Sequence, residues 1–258
     1  MRERWGRVLS VLFVVVSSLF STGESMAEDT GLLSKNNFSG TGTVTSDYVF
    51  RGLSQTNEDP AVQASFDYNH PTGVFLGTWA SNVDETISEG NIEIDLYGGY
   101  KKQIFQNLSC EISLIYYWYP GGDHDPDPDY WEVHGGLSYA FANLPLKPDV
   151  GVGFNYSPDF YGEDGRAYFY NGKLGLTLPY SFLFGFELGY QDVKGDKTTG
   201  NGGGLDGEDG YDYMFWKIGL SKEVLGFNLD VSYYDTNEEQ YFDPIGDNRV
   251  VFSISRSF

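Results

Sequence analysis

Apolar and aromatic residues recur at every second position through about a dozen segments of roughly ten residues, and this period of two restricts the chain to β-structure. The clearest runs are Val62-x-Ala64-x-Phe66-x-Tyr68, Ile92-x-Ile94-x-Leu96-x-Gly98-x-Tyr100 and Leu108-x-Cys110-x-Ile112-x-Leu114-x-Tyr116-x-Trp118. Further runs start at Trp131, Val150, Phe182, Phe227 and Val250, and weaker ones cover 38–50, 74–84, 167–178 and 211–222. Together they predict twelve strands, with ten or fourteen as the neighbouring counts. The lone Cys110 excludes a disulfide framework, and a formal charge of −21 excludes a nucleic-acid binder. Aromatics at 17% provide enough surface to bury that disorder is excluded too.

The connections sort by length and charge. Short ones (70–73, 102–107, 143–147, 179–181 and 222–226) alternate with longer, acidic ones at 51–60, 84–90, 120–129, 159–166, 192–212 and 235–247. With an even strand count, both termini and every short turn fall on one side and every acidic loop on the other. The N-terminus supplies the context: Arg2, Arg4 and Arg7, then an apolar run from Val8 to Phe20, then Ser25-Met26-Ala27, the pattern of a cleaved secretory signal over 1–27. Removing it leaves 13 basic against 35 acidic residues in 28–258, and the six long connections hold 23 of those acids.

An exported chain with no later helical span can enter a membrane only as a closed barrel, because lipid offers the backbone no partner. The fold expected is therefore an all-β, closed antiparallel transmembrane barrel of a Gram-negative outer membrane, with short periplasmic turns and long acidic extracellular loops. A secreted β-sandwich shares the alternation. It gives no reason to sort loops by charge, nor to crowd Tyr100, Trp118, Phe141, Tyr190, Tyr233 and Phe258 at strand ends, where a membrane has its interface belts. The mean hydropathy of −0.34 fits, since half of each strand faces a polar interior.

The stretch Gly40-Thr41-Gly42-Thr43-Val44-Thr45-Ser46-Asp47-Tyr48-Val49-Phe50-Arg51-Gly52-Leu53-Ser54-Gln55, with Pro60-Ala61-Val62-Gln63, resembles the opening of the TorF-type porins, a proteobacterial family. Gly77 to Asp84, Ile94 to Tyr100 and Asn248 to Ser253 continue the likeness. The resemblance implies an outer-membrane location and a pore, and names no solute. Terminal Phe258 on its alternating strand is similar to the signal read by the barrel-assembly machinery. Lipid and lipopolysaccharide are the other expected partners, with small hydrophilic solutes or cations as cargo and no nucleic acid.

If the apolar parity faces lipid, the other parity lines the lumen. It places Asp47, Asp67, Glu93, Asp95, Glu111, Glu132, Asp149, Glu187 and Asp230 inside as acids, and Arg51, Lys101, Lys173, Lys217 and Arg249 as bases. Nine against five predicts a water-filled, cation-preferring channel. A filled, non-conducting structural or surface-interaction barrel is the alternative, because twelve strands lie between packed eight-stranded and open sixteen-stranded barrels. Arg51 is expected at the outer rim, as a salt bridge ordering the first loop in preference to a solute contact.

No catalytic, cofactor or metal site is expected. Asp123, Asp125, Asp127 and Asp129 read as a solvated acidic loop lacking the EF-hand pattern, and Gly200 to Gly204 as a loop tip without the Lys-Ser/Thr tail of a phosphate cradle. A membrane-embedded hydrolase is the third reading. Its only inward histidine, His134, shares a face with Glu132 and Ser138, and Ser138 lies four residues away, about 13 Å along a strand. Cys110 falls on the lipid parity as a small apolar residue.

Overall fold

A computed structural model describes residues 32–88, 90–121, 127–195, 210–237 and 242–258. The expected signal at 1–27, the carboxylates Asp123 and Asp125 and the Gly200–Gly204 stretch lie outside the described residues. Of the unit 1–35, residues 32–35 are described, as a turn entering a short 3-10 helix at Lys35–Asn37; the second unit, 36–258, is the barrel.

Twelve strands form the wall: β1 (Phe38–Thr45), β4 (Ala61–Asn69), β5 (Val74–Asn82), β6 (Ile92–Phe105), β7 (Leu108–Trp118), β8 (Tyr130–Ala140), β9 (Asp149–Ser157), β10 (Ala167–Thr177), β11 (Leu183–Val193), β12 (Tyr211–Val224), β13 (Phe227–Thr236) and β14 (Arg249–Ser257). Each pairs antiparallel with its neighbour, and β1 closes the ring on β14 from Thr41↔Ser257 to Thr45↔Ser253. Phe258 extends the seam, its N–H donating to the Gly40 carbonyl at 3.0 Å and its own carbonyl accepting from Gly40 N at 3.2 Å. Closure satisfies the backbone groups that hydrocarbon could not, as an outer-membrane barrel requires.

The outer face is apolar. Val62, Leu76, Leu96, Ile112, Leu114, Val152, Ile218 and Phe252 stand exposed along their strands, while their sequence neighbours turn inward. Exposed aromatics gather toward the two ends: Tyr116, Trp131 and Tyr170 on the loop side, Tyr100, Phe105, Tyr139, Phe141 and Tyr180 on the turn side. A water-soluble sandwich would bury this face. The arrangement is that of an outer-membrane barrel, with the flanking aromatic girdles such barrels carry.

Several strands run a few residues past the bounds read from sequence, β12 through Val224 into the turn read at 222–226 among them, and two boundaries differ more. The segment read as a turn at 102–107 is largely strand: β6 runs to Phe105, and its register shifts between Gln103 and Phe105 before a turn at 106–107. The first strand, read as 38–50, leaves the wall after Thr45. Its last residues form β2 (Val49–Phe50), which pairs only with β3 (Leu53–Ser54) as a separate two-stranded sheet. Both strands are two residues long, too short for periodicity to distinguish them from the wall.

Candidate functional site

The β2–β3 hairpin lies inside the barrel. Its pairs Val49↔Ser54 and Phe50↔Leu53 leave Arg51 and Gly52 as a two-residue turn with φ of 48° and 88°. Positive φ at both central positions is the geometry of a type I′ hairpin turn, which Gly52 adopts freely and Arg51 does not. Gly52 is also required for space, because a Cβ there would lie 2.6 Å from Phe215 Cβ and 2.9 Å from Thr236 Cγ2. The tip therefore abuts β12 and β13, three and two strands around the wall from β1.

Arg51 makes the longest reach. Its Nη2 meets Glu132 Oε2 on β8 at 2.6 Å, and its Nη1 donates to Glu132 Oε1 at 2.9 Å and to Gln191 Oε1 on β11 at 2.7 Å. The guanidinium also lies 4.7 Å from the centroid of Phe50 and 4.1 Å from that of Phe169 on β10. Side-chain exposure is 6% for Arg51 and 2% for Glu132. A forked, bidentate pair of this kind is the strong form of an ion pair, and breaking it leaves a buried charge alone. Burial alone would lower the Arg51 pKa, but neighbouring Glu132 outweighs it and holds the guanidinium above its ordinary value. Arg51 forms the salt bridge expected from sequence, but buried inside the lumen against β8 and β11 instead of exposed at the rim. Parity along a strand carries no information once the chain has left the wall.

The hairpin stem is fixed by a second buried pair. Asp47 accepts from Ser54 Oγ at 2.7 Å, Thr56 Oγ1 at 2.8 Å and Arg249 Nη1 at 3.1 Å, and Arg249 donates further to the Asp247 and Pro244 carbonyls. Ser54 N–H donates to the Ile245 carbonyl, joining the hairpin to the last loop. Tyr48 donates to Glu93 Oε1 at 3.2 Å, and burial followed by the charges of Glu93 and Asp95 pushes its phenol well up.

Around these polar contacts the loop side of the lumen fills with aromatic rings. Tyr117, Tyr119, Tyr130 and Phe160 pack with Phe50 and Tyr161, while Phe169, Tyr213, Phe215 and Phe242 pack with Leu53 and Ile245. Room for these rings comes from small wall residues. At Gly189 any side chain would overlap Phe215 and Phe169.

On the turn side of the hairpin the lumen opens. A cavity of about 350 Å³ has Val49, Phe50, Arg51, Tyr117, Phe169 and Phe215 at its loop-side end. His134, Asn155, Asn171, Lys173, Glu187, Lys217 and Tyr234 line the rest. A second cavity of about 160 Å³ shares His134, Asn171 and Lys173 with it and is bounded also by Lys101, Ser109, Glu111 and Ser138.

Of the residues assigned to the lumen by parity, Lys101 lies 3.1 Å from Glu111 and Lys173 lies 3.6 Å from Glu187. Lys217 Nζ sits 5.1 Å from the Tyr234 ring centroid. Asp67 accepts from Tyr97 Oη at 2.5 Å, and Asp230 accepts from Ser232 Oγ at 2.6 Å. Asp149 is exposed at the turn end, opposite Ala140 and Gly175. Glu93 is 1% exposed and lies against Tyr48, Asp95 and Tyr119. His134 Nδ1 lies 2.9 Å from Asn155 Oδ1, whose amide nitrogen donates to Glu132, so the histidine belongs to the network beneath Arg51. Sequence reasoning gave no role to Gln191, Asn155 or Phe169. Gln191 and Phe169 shared the inward parity of their strands, yet neither carries the charge that drew attention to the others. At the end of the acidic loop, Asp129 accepts from Tyr116 Oη and Tyr119 N–H and its own N–H donates to Asp127, so both carboxylates are engaged within the chain. Among the described residues no group of three or more His, Cys, Asp or Glu could hold a metal ion.

Residues 29–258 match a family described as "Bacterial protein of unknown function (Gcw_chp)". No curated protein matches the sequence. Among solved structures the barrel is similar to the KdgM porin, with a TM-score of 0.56, 12% identity and coverage of 85% of this chain and 99% of that one. It is also similar to a NanC porin structure at 0.53 and 8%, covering 84% and 97%. A KdgM porin in complex with disordered oligogalacturonate gives 0.53 and 11%, covering 86% and 98%. At such identities the likeness carries the fold.

Proposed function

We propose a function from one premise, that the chain belongs to the Gcw_chp family of bacterial proteins: it is a porin-like outer-membrane channel for passive diffusion of small hydrophilic solutes, with a preference for cations. The observation that carries this reading is a polar, cavity-bearing lumen inside a closed barrel whose outside is apolar. The likeness to KdgM and NanC porin structures, and the resemblance of the Ser46 to Gly52 block to TorF-type porins, support it.

The cation preference rests on what remains after pairing. Asp47 with Arg249, Glu132 with Arg51, Glu111 with Lys101 and Glu187 with Lys173 neutralise one another. Glu93, buried, and Asp95, half-buried, lie side by side away from the water path, and Asp67, Asp149 and Asp230 are left against Lys217, so the interior field is negative and attracts cations. The reversal potential of bilayers holding the refolded protein in a KCl gradient tests this. Potassium-selective polarity is expected, and chloride-selective polarity contradicts it.

One observation favours a second reading, a barrel that does not conduct: the hairpin and its aromatic packing fill the loop side of the lumen. The oligogalacturonate on KdgM suggests acidic saccharides as cargo to include among test solutes. We propose no catalysis, since His134 is engaged with Asn155 in the network around Glu132.

A further inference from the structure

The wall and the plug are separate hydrogen-bonded objects. β2 and β3 pair with each other and with no wall strand, while the twelve-stranded ring closes without them. Lifting the hairpin out would therefore break no rung of the barrel. The stem stays anchored through Asp47 with Arg249 and Tyr48 with Glu93, and what holds the tip is the Arg51 fork on Glu132, its bond to Gln191, the Ser54 link to Ile245 and ring packing.

The seated arrangement also has a polar deficit. Gln191 Nε2, at the tip, is buried without a hydrogen-bond partner among the described residues. Water entering behind a displaced hairpin would satisfy it, offsetting part of the contact energy lost. Arg51 closes the loop-side end of the larger cavity, so the latch lies between that cavity and the loop-side mouth.

We propose that the β2–β3 hairpin is a gate, a plug latched by Arg51 on Glu132 and Gln191, and that its release as a unit opens the lumen. The proposal rests on the channel reading above and assigns the regulation of that channel to one ion pair. It also gives the Ser46 to Gly52 block a physical role, since the block supplies both the stem anchor Asp47 and the latch Arg51.

The test is single-channel recording of the full barrel with Arg51→Glu, Glu132→Arg and the two combined, each checked for heat-modifiable gel migration as evidence of folding. Each single swap places like charges face to face and is expected to raise open probability at least about tenfold. The double swap restores an opposite pair and is expected to return it toward wild type. Folded single swaps that gate like the wild type overturn the gate and leave the channel standing. If folded wild type and folded swaps all fail to conduct, the channel reading itself fails and takes the gate with it. Should a swap fail to fold, Arg51→Lys is read instead, because it keeps the charge and loses the fork. A partial rise in open probability supports the latch, and wild-type gating overturns it.

Discussion

Asp47 and Arg249 are both less than a tenth exposed, and they hold the first loop to the start of the last strand across 202 positions of sequence. Replacing Arg249 by Met leaves the Asp47 carboxylate buried with only its hydroxyl partners. We expect a loss of about 3 kcal/mol in unfolding free energy, measured by urea titration in lipid vesicles, against less than the sum of the single losses for Asp47→Asn with Arg249→Met. Additive losses would show that the two act independently. At Gly52, Ala must adopt positive φ and push into Phe215, so Gly52→Ala is expected to cost about 1–3 kcal/mol by the same titration. No cost would mean that the tip does not seat against β12. Little of this was legible in the sequence. Alternation places a side chain on one face or the other of a strand, but Arg51 stands on a turn inside the lumen. Its partners Glu132 and Gln191 are 81 and 140 positions away.

The strands themselves were legible because a lipid-facing side and a lumen side impose period two on each. All twelve wall strands fall where the alternation predicts, down to Leu183–Val193 and Arg249–Ser257. Ends were less so: β6 continues through Lys101, Lys102 and Gln103, polar residues that pair across to Glu111, Cys110 and Ser109 and so lack the signature of a membrane-facing run. Neighbouring positions on one strand should respond oppositely to charge. On β9, Val152→Arg puts a cation on an outer-face position 61% exposed in the barrel, and is expected to cost about 2–4 kcal/mol when the protein unfolds from lipid. Gly151→Ser on the inner face meets only ordinary contacts, 3.6 Å from the Leu137 carbonyl and 3.9 Å from Lys173 Cβ, and should change stability by less than about 1 kcal/mol. Equal responses at the two positions would contradict the assignment of faces.

At the scale of the whole molecule, three layers nest: an apolar exterior for lipid, a closed hydrogen-bonded ring, and an interior divided into an aromatic plug on the loop side and charged cavities on the turn side. The division explains why counting inward charges alone describes the lumen poorly. Four of the nine inward acids are paired with bases, two of them in or beside the hairpin that carries Arg51. If this interior is the proposed solute pathway, liposomes that contain the refolded barrel swell when challenged with small neutral sugars, faster with Arg51→Glu than with wild type and more slowly as the sugar grows. Absence of swelling for both proteins, each inserted and migrating as folded, would overturn the pathway.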